Sequence, residues 1–162
     1  MDYAGQHQII HRSIAPANIL VRGEDKLAKL GDLMLAKALE GSLAIQITRR
    51  GEIVGDVAYM SPERTRGTQD VDGRSDIYSL GATVYALLTG RAPFEGSTLP
   101  DTILKIRQAE PEKPKKYQLS IPDLSEGTTL KMLAKRPDDR YQSAGHLLAD
   151  LERVAKFQGV TV

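Results

Sequence analysis

The chain has 162 residues, a length that favours one domain able to bury roughly 70% of its unfolded surface without metal or disulfides. Its 22 basic and 21 acidic residues leave a net charge of +1, which supports neither nucleic-acid nor membrane-surface binding, and no apolar run is long enough to span a bilayer. Cysteine is absent, which excludes disulfides and thiolate metal sites, and Met1 to Gly5 carries no basic or apolar leader, so a cytoplasmic protein is expected.

Asp2 to Gln8 reads as the end of a helix, and Ile9 and Ile10 lead into an irregular segment containing Pro16. Ile19-Leu20-Val21 and Leu27-Ala28-Lys29-Leu30 are short strands separated by the turn-like cluster Arg22-Gly23-Glu24-Asp25. From Gly31 to Glu63 no period is sustained, and so long a stretch without one is usually functional or disordered. Asp76 to Thr89 is apolar on nearly every face and ends at Gly90, which predicts a central buried helix with a glycine beyond its C-terminus. Thr98, Pro100 and Asp101 mark a further helix start, with the end near Ala109. Pro111 to Tyr117 reads as a loop whose lysines 113, 115 and 116 are solvated rather than a binding patch. Leu130, Leu133 and Ala134 predict a short helix, and Ala144, Leu147, Leu148, Leu151, Val154 and Ala155 an amphipathic one. The fold class is mainly α with a small β element.

His11-Arg12-Ser13-Ile14-Ala15-Pro16-Ala17-Asn18 resembles the protein-kinase catalytic loop, written H-R-D-x-x-x-x-N. Thirteen residues later, Gly31-Asp32-Leu33-Met34 is similar to the metal-binding D-F-G site. Gly55 to Glu63, ending Tyr-Met-Ser-Pro-Glu, resembles the end of an activation segment. Asp76-Ile77-Tyr78-Ser79-Leu80-Gly81 resembles the start of the family's central helix, and Arg136 to Tyr141 its arginine-bearing element before the last helix. Each fragment alone is weak; five in the family's order across almost the whole chain are strong. The closest flavour is the bacterial serine/threonine kinases.

The resemblance implies a kinase-like C-lobe without its N-lobe, as one domain over 1–162. Within it the catalytic loop spans 11–18, the activation segment 32–63 and the helical subdomain 74–156. It also implies a damaged site. The catalytic aspartate falls at Ser13, and a serine hydroxyl is no useful base at neutral pH. The loop lysine falls at Ala15, the threonine that contacts both at Asp56, and the flexible D-F-G glycine at Met34. Asn18 and Asp32 are the residual Mg-ATP positions, each with turn stabilisation as its bland alternative. Arg12 reads either as a grip for a phosphorylated Thr48 or as a solvated charge, and His11 as packed in the core. Glu63 and Arg140 are expected to form a buried ion pair, and Asp76 to accept backbone donors from the His11-Arg12 region.

Magnesium and ATP are the family's cofactors; none is expected in this chain, because the ATP-clamping lobe is not seen in it. Two readings of function stand. One is a catalytically inactive binding or scaffolding module, with a protein partner or a second copy covering the surface the N-lobe would cover. The other is a truncated or altered part of an active ATP-dependent serine/threonine kinase.

Overall fold

The computed structural model describes residues 10–31, 57–67 and 71–160. These residues are mostly helical, with one small antiparallel sheet among them. A single 3-10 turn, Pro16–Asn18, leads into β1 (Ile19–Val21), which pairs with β2 (Ala28–Leu30) in the register Ile19 to Leu30 and Val21 to Ala28. Arg22 and Asp25 close the intervening turn through their side chains. Leu27, expected to begin the second strand, instead has its N–H capped by Asp25 Oδ1 at 3.1 Å and lies in the turn.

Among the described residues five helices follow: α1 (Pro62–Thr65), α2 (Gly73–Thr89), α3 (Leu99–Gln108), α4 (Asp123–Met132) and α5 (Ala144–Phe157). Local chemistry sets most of their ends. Ser61, Asp72, Thr98 and Ser143 each cap a helix by accepting a backbone N–H two or three residues on. Gly90 ends α2 at φ 75°, a left-handed conformation that glycine adopts without steric cost. The Asp72 cap lets α2 begin one turn earlier than its apolar run, at Gly73 rather than Asp76. The loop expected over Pro111 to Tyr117 contains a 3-10 turn at Pro114–Lys116. There Lys115 pairs with Asp123 and Lys116 with Glu112.

Helix α2 is the axis of the core. One side packs Tyr78, Ala82 and Tyr85 against Val57, Phe94, Ile106 and Leu133; another packs Ile77 against Met132, Tyr141 and Leu147. Each large apolar side chain fully removed from water there contributes about 1.5–3 kcal/mol. Gly81 sets the spacing between α2 and α4, since a Cβ at that position would lie 2.5 Å from Met132 Cβ. Helix α4 spans ten residues and ends at Met132, so of the short helix expected on Leu130, Leu133 and Ala134 only Leu130 lies within it.

No helix among the described residues is long and apolar enough to cross a membrane. The helix expected over Asp2 to Gln8 lies outside the described residues.

Candidate functional site

The site is organised by Asp76, in the first turn of α2 and only 5% exposed. Its Oδ2 accepts the His11 N–H at 2.7 Å and its Oδ1 the Arg12 N–H at 2.8 Å. Two adjacent amides can face one carboxylate because Arg12 adopts φ 65°, a region that non-glycine residues enter at a cost. Burial pushes the Asp76 carboxyl above its ordinary value, against the lowering effect of those two donors.

His11 is buried, and its Nε2 lies 2.9 Å from the carbonyl of Gly31, at the end of β2. Its Nδ1 accepts the Ser13 N–H at 3.3 Å, so a proton on Nε2 satisfies both contacts. The ring thus ties the loop to the hairpin.

Ser13 and Asn18 meet. Asn18 Nδ2 donates to the Ser13 carbonyl at 2.8 Å and to Ser13 Oγ at 2.9 Å. The Asn18 amide is thus anchored on Ser13 through its nitrogen. The Gly31 N–H bonds the Asn18 carbonyl at 2.8 Å, which brings the chain back beside Asn18 one residue before Asp32. Ile14 and Ala15 are buried at 2% and 3% exposure, so Ala15 fills a packed position with a methyl group. Asp32, Met34, Thr48 and Asp56 lie outside the described residues. Among the described residues no cluster of three His, Cys, Asp or Glu side chains could hold a metal.

Glu63 and Arg140 lie together behind this loop. Arg140 donates from Nη1 to Glu63 Oε1 at 2.7 Å and from Nη2 to Oε2 at 2.9 Å, with the arginine side chain fully buried. Ser75 Oγ donates to the same carboxylate. Burial pushes the Glu63 carboxyl up, but the bonds and charge of Arg140, aided by Ser75, bring it down to about 2. The rest of the guanidinium is satisfied by the carbonyls of Ala134, Lys135 and Arg74, and it stacks 4.9 Å from the Tyr78 ring centroid.

Two contacts had no signal in the sequence. The Arg64 guanidinium donates to the Arg12 carbonyl, linking α1 to the catalytic loop. Arg107 of α3 donates from Nε to Thr65 Oγ1 at 2.9 Å and also reaches the Thr65 carbonyl. Neither arginine stands in a motif, and only the folded chain brings them to those oxygens. Beside the loop runs an open groove of about 640 Å³, lined by Pro16, Tyr59, Leu87, Arg91, Phe94 and Glu95 among others.

Comparison with known proteins gives the family. The family model described as "Protein kinase domain" matches residues 1–150. The chain is 37% identical over 158 residues, 98% of its length, to the serine/threonine-protein kinase PknB of Mycolicibacterium smegmatis. It is 35% identical over 162 residues, all of its length, to a probable serine/threonine-protein kinase of Clostridium perfringens. A probable serine/threonine-protein kinase of Corynebacterium efficiens is 38% identical over 155 residues, 91% of this chain. The chain spans about a quarter of the length of these relatives, from 23% to 25%. With the family model over residues 1–150 and these relatives above 30% identity, this chain belongs to the protein kinase family.

Proposed function

We propose that the chain is the catalytic-loop part of a serine/threonine kinase domain that has lost phosphotransfer and serves as a binding module. The observation that carries this reading is Ser13. Its hydroxyl accepts a hydrogen bond from Asn18, and it offers no carboxylate to take a proton from a substrate hydroxyl. Losing general-base assistance costs about 10²–10⁴-fold in rate. Ala15 further removes the cation that would stand beside a transferred phosphoryl group.

Asn18 and Asp32 supply hard oxygen donors of the kind that magnesium takes, so these residues fit an Mg-nucleotide and would be the ones to hold it. When bound, the metal neutralises charge on the phosphates. In this reading Asp76 and His11 hold the loop's shape, Asn18 is bonded to Ser13, and no side chain at Ser13 moves a proton.

The alternative, part of an active kinase, is favoured by the intact scaffold of Asp76, Glu63 and Arg140 and by the names of the relatives. Incubating the full-length protein with labelled ATP, magnesium and a general acceptor separates the two. Incorporation at the level of a boiled control is expected, rising at least about 10²-fold when Ser13→Asp and Ala15→Lys are combined. Robust incorporation by the unaltered protein, abolished by Asp32→Ala, would establish the active reading instead.

The partner in the binding reading is a polypeptide. The hairpin presents Leu20 at 65% and Val21 at 59% exposure beside Leu27, which supports a second copy of the chain as one such partner. Sedimentation equilibrium over a hundredfold concentration range should show mass above the 17.8 kDa monomer, and a single monomeric species throughout would remove the second copy from this reading.

A further inference from the structure

The stretch 90–96 forms one wall of the groove beside the catalytic loop, and much of its polar backbone is already engaged within the chain. The Gly90 N–H bonds the Ala86 carbonyl at 2.8 Å. The Ala92 N–H bonds Glu95 Oε1 at 3.2 Å, and the Gly96 N–H bonds Thr102 Oγ1 at 3.0 Å. The Arg91 carbonyl accepts from Thr89 Oγ1 at 3.0 Å, and the Glu95 carbonyl from Lys105 Nζ at 3.0 Å. Gly96 lies so close on α3 that a Cβ there would sit 2.4 Å from the Thr102 nitrogen, so the wall is preformed. What this wall and its neighbours offer a ligand is chiefly apolar surface, with Leu87 71% exposed to water.

Charge on the lining is lopsided. Arg91 and Glu95 are its charged residues. Glu95 accepts the Ala92 N–H through Oε1 and reaches Arg91 through Oε2, so both of its oxygens are engaged. Arg91 touches Glu95 from one nitrogen at 3.5 Å, stacks 5.2 Å from the Tyr117 ring centroid, and keeps its side chain 49% exposed. A guanidinium has five N–H donors, so Arg91 has donors to offer an incoming carboxylate. An incoming ammonium meets that same guanidinium with Glu95 already committed.

We propose that the groove takes an extended polypeptide segment that lays a leucine-sized apolar side chain over Leu87 and sets a neighbouring aspartate or glutamate against Arg91. Acidic, apolar segments are thereby selected over basic ones. The inference rests on the binding-module reading and names the chemistry of its polypeptide partner. The apolar side chain supplies affinity by leaving water, whereas the half-exposed charge mainly discriminates between partners.

The test is fluorescence anisotropy with short labelled peptides at low salt. The first carries a leucine flanked by aspartates, the second has lysines for the aspartates, and the third has glycine for the leucine. The aspartate peptide should bind about fivefold more tightly than the lysine peptide. Replacing its leucine by glycine should weaken binding by at least about tenfold. Arg91→Glu should invert the ranking of aspartate and lysine peptides, and Leu87→Ser should weaken both. Both positions are exposed, so these variants keep the fold. Equal affinity for the two charged peptides would overturn the proposal, as would an unchanged ranking in Arg91→Glu. Parent affinity in Leu87→Ser, or no binding of any peptide, would do the same. None of the peptides carries a hydroxyl, so their ranking does not depend on phosphotransfer. Incorporation from labelled ATP would remove the inactive reading and leave the ranking standing; a failed ranking without incorporation would remove the groove's selectivity alone.

Discussion

Replacing Arg140 with alanine is expected to cost about 3–5 kcal/mol of folding stability, because it leaves the Glu63 carboxylate buried without its partner. The guanidinium is fully buried, makes two bonds to the carboxylate and satisfies three carbonyls from two segments. Against a total near 5–15 kcal/mol, such a loss brings the fold close to failure. Denaturant melts of Arg140→Ala against the parent measure it, and a difference of a few tenths of a kcal/mol would mean the pair carries no buried charge. Removing both charges in Glu63→Gln with Arg140→Met should cost less than the sum of the single changes, since neither partner is then left alone.

The pair also sets a pH window. The Glu63 carboxyl is held at about 2 in the folded chain against an ordinary 4.5, so the folded state binds its proton less readily than the unfolded state. Its contribution is therefore present in full above about 4.5 and lost as pH falls toward 2. Melts at a series of pH values should show this decline in the parent and a flatter curve in Glu63→Gln.

The second large effect is expected at Asp76. Asp76→Asn keeps one acceptor oxygen but sets an NH₂ group against a backbone N–H, at His11 or at Arg12. Hydrogen bonds to a charged group are worth about 1.5–3 kcal/mol, and a buried N–H left unpaired adds its own cost, so a loss near the upper end is expected. The loss should be local first. The two amides fixed to one carboxylate help hold the left-handed backbone of Arg12, so their release favours relaxation of φ. Hydrogen exchange at the amides of His11 and Arg12 should accelerate more than at Tyr78 or Ile106 in the core. Equal protection in Asp76→Asn and the parent would show that the loop is held by other contacts.

Much of this molecule is legible along the chain. The apolar stretch from Asp76 to Thr89 closed by Gly90 forces a buried helix, and α2 is that helix with one added turn from the Asp72 cap. Thr98 with Asp101, and the 3.6-residue repeat from Ala144, locate α3 and α5 because caps and periodicity are local physics. The order of the His11, Asp32, Glu63, Asp76 and Arg140 motifs points to the kinase family without any coordinates.

Helix α4 is different. Asp-Leu-Ser-Glu-Gly-Thr-Thr-Leu-Lys-Met has a glycine, two threonines and no clear apolar stripe, so its sequence argues weakly for any helix. It forms because its polar side chains find partners once neighbours arrive. Glu126 accepts the Lys115 N–H at 2.9 Å, Ser125 Oγ accepts from Gln158 Nε2 at 3.0 Å, and Met132 packs on Gly81. The same holds for Arg64 on Arg12, Arg107 on Thr65 and Lys135 over Phe94. Caps and periodic faces act between residues a few positions apart, so the sequence determines them by itself. A lone cation chooses among oxygens and rings far away in the chain, and only the packed structure decides which of them lies within reach.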